Sequence, residues 1–339
     1  MAPKKTKSYN FPDPIANAEL VGHSDAQNAF MDAWRRRAEY PIHPVWILSG
    51  VRGIGKATLA YRIARFVFGE QMATGGYDDS TGDLFAGDAP VANADNSDAV
   101  FQKMLDGGFG DFFIIDTAHN LDANGRPNPD VKSISVHTLR KMIEKMQLSS
   151  MEGGWRVVII DSLDELSVAA QNAILKLLEE PPANTLFLVV VHSLANTLPT
   201  IRSRARVEKL HPLTISELRD VARILLPDDE QDLSPATLRL AAGSFGRIAN
   251  LKKNGGDELY EDLLRICKND RANASDIMTM ASAIAKAPEM NGILLDAVAH
   301  FGLADLYPTA TQQIADITRV HLEPEIAAFR IISDIRKCL

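Results

Sequence analysis

The sequence predicts an α/β fold: a parallel sheet built around a phosphate-binding loop, then a small helical segment, then an all-α C-terminal region. Three observations predict it. Gly50-Val51-Arg52-Gly53-Ile54-Gly55-Lys56 matches G-x-x-x-x-G-K and directly follows the apolar run Val45-Trp46-Ile47-Leu48. Short, wholly apolar runs then alternate with stretches of helical periodicity, the pattern of parallel strands covered on both faces. After Leu210 only helical periodicity remains.

Taken in order, residues 20–43 read as a helix with the basic cluster Arg35-Arg36-Arg37 near its end, an exposed charged face. The strand at 45–48 passes through the glycine loop into a helix whose Leu59, Ile63, Phe66 and Val67 form a core-facing stripe. Residues 73–98 are rich in Asp, Gly, Ala and Asn and lack periodicity, so they read as an acidic loop or insertion. Phe112-Phe113-Ile114-Ile115 is a second strand, followed by the turn-rich 122–129. Leu139, Met142, Ile143 and Met146 then mark an amphipathic helix. A buried strand at 157–160 precedes a helix carrying Ala170, Ile174, Leu177 and Leu178, which Pro181-Pro182 must stop. Leu186 to Val191 is the next buried strand. Residues 214–252 read as short helices with a turn at Pro227-Asp228-Asp229, and Lys252 to Gly256 as a linker. The domains read from this pattern are 1–207, 208–254 and 255–339.

Composition narrows the function classes. At 339 residues the chain can hold two or three domains with a substantial core. A net charge of −8 argues against nucleic-acid binding as its solo role, because that needs a basic face to release counterions. Lys4, Lys5 and Lys7 have no apolar stretch behind them and read as a solvated tail, not a signal peptide. Apolar runs are far too short to span a membrane. Cys267 and Cys338 are too few for a metal site or a disulfide framework, and the histidines show no ligand spacing. A reducing cytoplasm is the simplest compartment, and no metal is expected.

The candidate site is a nucleotide cradle with missing parts. Gly50, Gly53 and Gly55 let backbone N–H groups converge on phosphate oxygens, and Lys56 adds a point charge; Thr58 follows at the start of the helix. The position after the lysine normally carries the hydroxyl that holds Mg²⁺, and here it is Ala57. Asp161 ends the strand Val157-Val158-Ile159-Ile160 and suits the carboxylate of a Walker B motif, though a strand-end or helix-capping role is the plain alternative. Where an active ATPase places a Glu next to that Asp, this chain has Ser162, a poor proton acceptor at neutral pH. Glu165 comes too late in the chain to replace it. These two losses predict absent or very slow hydrolysis, and leave open whether ATP or ADP occupies the site.

Three longer runs carry a family resemblance: Gly154-Trp155-Arg156-Val157-Val158-Ile159-Ile160-Asp161, Asn172-Ala173-Ile174-Leu175-Lys176-Leu177-Leu178-Glu179-Glu180-Pro181-Pro182, and Leu198-Pro199-Thr200-Ile201-Arg202-Ser203-Arg204. Together they resemble the clamp-loader AAA+ subunits of bacterial DNA polymerase III, and within them the delta-prime type. The resemblance covers roughly the first 250 residues. It implies an AAA+ module, a helical lid and a helical collar that joins the other loader subunits. The implied partners are delta and the gamma/tau ATPase subunits, with the sliding clamp and primed DNA reached through the complex. The family's Ser-Arg-Cys motif stands here as Ser203-Arg204-Ala205, which makes Arg204, by resemblance, an arginine finger for a neighbour's ATP. Three departures stand out. There is no cysteine where many members carry a zinc module. Gly246 occupies the place of a nucleotide-sensing arginine, with Arg247 one position later. His192-Ser193 ends the strand that usually presents a polar sensor. The rival reading is the active motor subunit of the same machine. A third, an unrelated P-loop enzyme such as a small-molecule kinase, lacks a recognisable substrate region.

Overall fold

The computed structural model describes residues 11–73, 99–122, 126–128, 133–146, 154–286 and 291–339. The lysine tail and the acidic stretch from residue 74 to 98 lie outside the described residues. The chain divides into two compact units, Pro12–Ile224 and Leu225–Leu339, the second including Phe11.

The first unit begins with α1 (Ser24–Arg35), shorter at both ends than the sequence pattern suggests because His23 sits in the left-handed region and Arg36 leaves helical geometry. β1 (Val45–Ser49), α2 (Lys56–Ala73), α3 (Ala99–Leu105), β2 (Phe112–Asp116), α4 (Val136–Met146) and β3 (Arg156–Asp161) follow. Next come α5 (Val168–Glu179), β4 (Thr185–Val191), α6 (Pro199–Arg202), β5 (Arg206–Lys209) and α7 (Ile215–Leu225). α5 stops two residues before Pro181, as a proline pair requires. The five strands form one parallel sheet in the order β2-β3-β4-β1-β5.

Alternation along the strands sends side chains to two cores. Trp46, Leu48, Val157, Ile159, Leu186, Leu188 and Val190 pack with Phe30, Trp34, Leu59, Ile63 and Val67 of α1 and α2. Val45, Ile47, Val158, Ile160, Phe187, Val189 and Val191 pack with Leu139, Met142, Ile174 and Leu178 of α4 and α5. Both faces of the central strands β1, β3 and β4 are therefore dry, which is why these three are apolar along most of their length. The α/β parallel-sheet module predicted from sequence is the one observed.

Among its described residues the second unit carries helices and no strand: α8 (Pro235–Ala241), α9 (Phe245–Lys253), α10 (Gly256–Lys268), α11 (Ala274–Ala285), α12 (Gly292–His300), α13 (Tyr307–Arg319) and α14 (Pro324–Cys338). The segment read as a linker is a tight turn: α9 runs to Lys253, and Gly255 at φ 65° reverses the chain before α10 starts. Its core joins Leu263, Ile277, Ala281, Ile284, Ala297, Val298, Ile331, Ile332 and Ile335. Lys252 ties this unit internally, its Nζ lying 3.2 Å from Glu230 and 2.8 Å from Asp257.

Candidate nucleotide site and a surface arginine

In a parallel sheet the strand carboxyl ends and the loops beyond them form the natural crevice for a ligand. Here that edge carries Gly50 after β1, Asp116 after Ile115, Asp161 at the end of β3 and His192 after β4. Register places them side by side: Ser49 pairs with Val191, and Asp116 with Asp161. The loop is stitched to the sheet, since Gly50 N donates to Val191 O at 3.2 Å and Leu210 N to Ser49 O at 2.7 Å.

The lysine of the cradle is already engaged. Lys56 Nζ donates to Gly50 O at 2.7 Å and Val51 O at 2.6 Å, and the side chain is 3% exposed. Burial pulls its pKa down to about 8, against the attraction of Asp161 and Asp164. The glycines serve the chain's own packing. A Cβ on Gly50 would stand 2.5 Å from Leu210 O, and Gly55 holds φ +102° with Leu20 Cδ1 3.0 Å from where its Cβ would be. Gly53 also has positive φ, at 78°. His23 braces the same loop, its Nε2 lying 2.6 Å from Ile54 O. A carbonyl only accepts, so Nε2 carries the proton. Thr58 is buried at 8% exposure behind the loop.

Carboxylates stand around the loop. Asp161 has its pKa pushed up to about 6, first by burial and then by Glu165 and Asp116, with Lys56 and Arg52 opposing. Glu165 lies 3.1 Å from Arg52 of the loop, an ion pair and not a water-activating position beside Asp161. Ser162 is 1% exposed, and its Oγ has no hydrogen-bond partner among the described residues. Asp164 accepts from His192 N at 2.9 Å and Ser193 N at 2.8 Å, fixing the end of β4. His192 is held neutral, its pKa lowered to about 4 by burial and by Lys56, with Asp164 opposing. The donor set does not fit Mg²⁺, because Ala57 brings no oxygen to it.

The structure thus brings Gly50, Gly53, Gly55, Lys56, Thr58 and Asp161 to one edge. Arg204 is not bonded to them. It is exposed after α6, with Nη1 donating to Thr200 O at 3.0 Å and Ser203 Oγ at 3.3 Å, and Nη2 lying 3.1 Å from Glu179 Oε1. Arg247, in the second unit, is paired with Asp296. Sequence reasoning missed His23, Asp164 and Glu179, whose contacts at the site join residues distant in the chain. Among the described residues no group of His, Cys, Asp or Glu could hold a metal ion. No helix among them is long and apolar enough to cross a membrane.

The sequence profile of the family described as DNA polymerase III, delta subunit matches residues 26–214, more than half of the chain. The chain belongs to this family. The match contains the whole sheet and the loop at its edge, so the delta'/clamp-loader assignment rests on the same residues as the site. The DNA polymerase III subunit delta' of Pseudomonas aeruginosa is 29% identical over 201 residues, covering 59% of this chain and 52% of that protein. The delta' subunit of Escherichia coli K12 is 34% identical over 142 residues, covering 40% of this chain and 41% of its own. The DNA polymerase III subunit gamma of Buchnera aphidicola is 26% identical over 234 residues, covering 69% of this chain and 49% of its own. The chain spans about half the length of the curated relatives it matches.

Proposed function

We propose that this clamp-loader family member is a non-hydrolysing, delta-prime-type subunit that lends Arg204 to the ATP of a neighbouring subunit during loading of the sliding clamp on primed DNA. The observation that carries the reading is the state of the loop: its lysine is spent on Gly50 O and Val51 O. Ala57 brings no oxygen for Mg²⁺, and the position next to Asp161 holds a buried serine. ATP or ADP would at most rest in such a pocket without turnover. No cofactor is required, and any polymerase activity belongs to the holoenzyme. An arginine entering from another subunit stabilises charge on the transferring phosphoryl group and is worth ~10³–10⁵ in rate. Arg204 meets the first condition for such a role, being at the surface and outside its own nucleotide cradle. The partners in this reading are the delta and gamma/tau subunits, met through the first unit's surface and the C-terminal helices as lid and collar, in the cytoplasm.

The alternative is the motor subunit, favoured by the gamma relative's coverage of 69% of this chain. Steady-state ATP hydrolysis separates the two. The isolated chain should show no turnover, and a complex assembled with Arg204→Ala should hydrolyse ATP far more slowly than wild type. Turnover by the isolated chain establishes the motor reading; undiminished hydrolysis by a well-assembled Arg204→Ala complex removes the finger.

A further inference from the structure

Helix C-termini carry a partial negative charge, and acidic residues in the last turn are unfavourable there. α5 nevertheless ends in Glu179 with Glu180 at its C-cap. Helix stability gives no reason for two carboxylates at that place. The structure supplies one, because Glu179 Oε1 stands 3.1 Å from Arg204 Nη2. Both side chains remain well exposed, at 40% for the arginine and 45% for the glutamate, so the pair contributes little to the stability of the fold.

What the pair does is define one guanidinium position. An arginine side chain is long and rotamer-rich, and a free one must lose that freedom each time it docks. Arg204 is held on two sides. Nη1 donates to Thr200 O at 3.0 Å and to Ser203 Oγ at 3.3 Å, while Nη2 meets Glu179. Ser203 Oγ itself donates to Thr200 O at 3.1 Å, so the cradle is fixed before the arginine enters it. Guanidinium has five N–H donors in a rigid plane. Three are committed here, and two remain for an oxygen that arrives from outside.

We propose that Glu179 is the positioning residue for Arg204: its carboxylate, together with Thr200 O and Ser203 Oγ, presents the guanidinium in a single orientation with two donors open to a neighbour's phosphate. This rests on the trans role given to Arg204 above. Glu179 touches no reacting atom. Its effect is on how often the finger is aimed when the neighbour's ATP reaches the transition state, and so on kcat and not on the binding of that ATP.

The test is steady-state ATP hydrolysis by the reconstituted clamp-loader complex carrying wild type, Glu179→Ala, Glu179→Gln, Arg204→Ala or the double Glu179→Ala/Arg204→Ala chain, each checked for assembly by size-exclusion chromatography. Glu179→Ala should lower kcat by roughly three- to tenfold with KM for ATP unchanged, a loss of orientation and not of contact. Glu179→Gln, which keeps an acceptor without the charge, should fall between. In the double variant Glu179→Ala should add nothing to the loss from Arg204→Ala, because the two act through one guanidinium. A normal or raised kcat for Glu179→Ala beside a slow Arg204→Ala overturns the positioning role and leaves the finger standing. A loss that multiplies with that of Arg204→Ala also overturns it. If Arg204→Ala itself hydrolyses at the wild-type rate, the trans finger falls and this inference falls with it.

Discussion

Asp161 lies where its charge is penalised: burial, Glu165 and Asp116 together raise its pKa from 3.8 to about 6. A carboxyl group whose folded pKa is raised costs stability at pH values above that pKa. The cost fades as the pH falls through about 6 toward 3.8, where the native state takes up its proton before the unfolded chain does. Asp161→Asn should therefore raise stability by about 1–2 kcal/mol near pH 7.5 and by much less near pH 4.5, loss of the attraction to Lys56 trimming the gain. Urea unfolding at the two pH values checks this, and equal differences at both would refute the charge penalty. The loop and Asp161 were legible in sequence because the motif is local and each residue type has one chemistry there. The bonds that hold the site and the surface arginine were not. Asp164 to His192, His23 to Ile54 and Arg204 to Glu179 each span more than twenty positions, and nothing in the local pattern announces them.

Among the elements, those with a single unmistakable period were readable, and the rest were set by context. β1, β3 and β4 are buried at nearly every position and stand out as apolar runs. β5 escaped notice because Arg206-Val207-Glu208-Lys209 is mostly charged. It is an edge strand whose arginine lies over the Trp46 ring, at 4.2 Å from the centroid. α3 escaped because it is only seven residues long, and its Val100, Phe101 and Met104 stripe has no length in which to repeat. Caps are the clearest local signals in the helical half. Asn273 accepts from Ser275 N and Asp276 N, while Asp276 accepts from Asn273 N at 2.9 Å, a reciprocal box at the start of α11. Asn273→Ala should cost about 1 kcal/mol and lower the thermal midpoint by a few degrees in calorimetry. An unchanged midpoint would mean that packing of α11 on α14 alone defines the helix start.

At the scale of the whole molecule, stability is distributed over separate cores. The sheet is sandwiched between two apolar clusters that lie within Pro12–Ile224, and the C-terminal helices pack on one of their own. Ile332 is fully buried in that last cluster, at 0% exposure. Ile332→Ala should destabilise the helical unit by about 2–5 kcal/mol through lost burial and the cavity left behind. Hydrogen exchange should show α11 and α14 losing protection while β1, β3 and β4 keep theirs. Uniform loss across both units would show that they unfold as one.

Replacing the lysine of a phosphate-binding loop is the customary biochemical control for whether a protein consumes nucleotide. In this chain that control changes meaning, because the ammonium of Lys56 braces the two main-chain oxygens beside it. Cutting the side chain back would slacken the turn whether or not a triphosphate ever visits. A defective phenotype from that substitution would be a statement about architecture, to be read beside a melting curve before any claim about energy consumption.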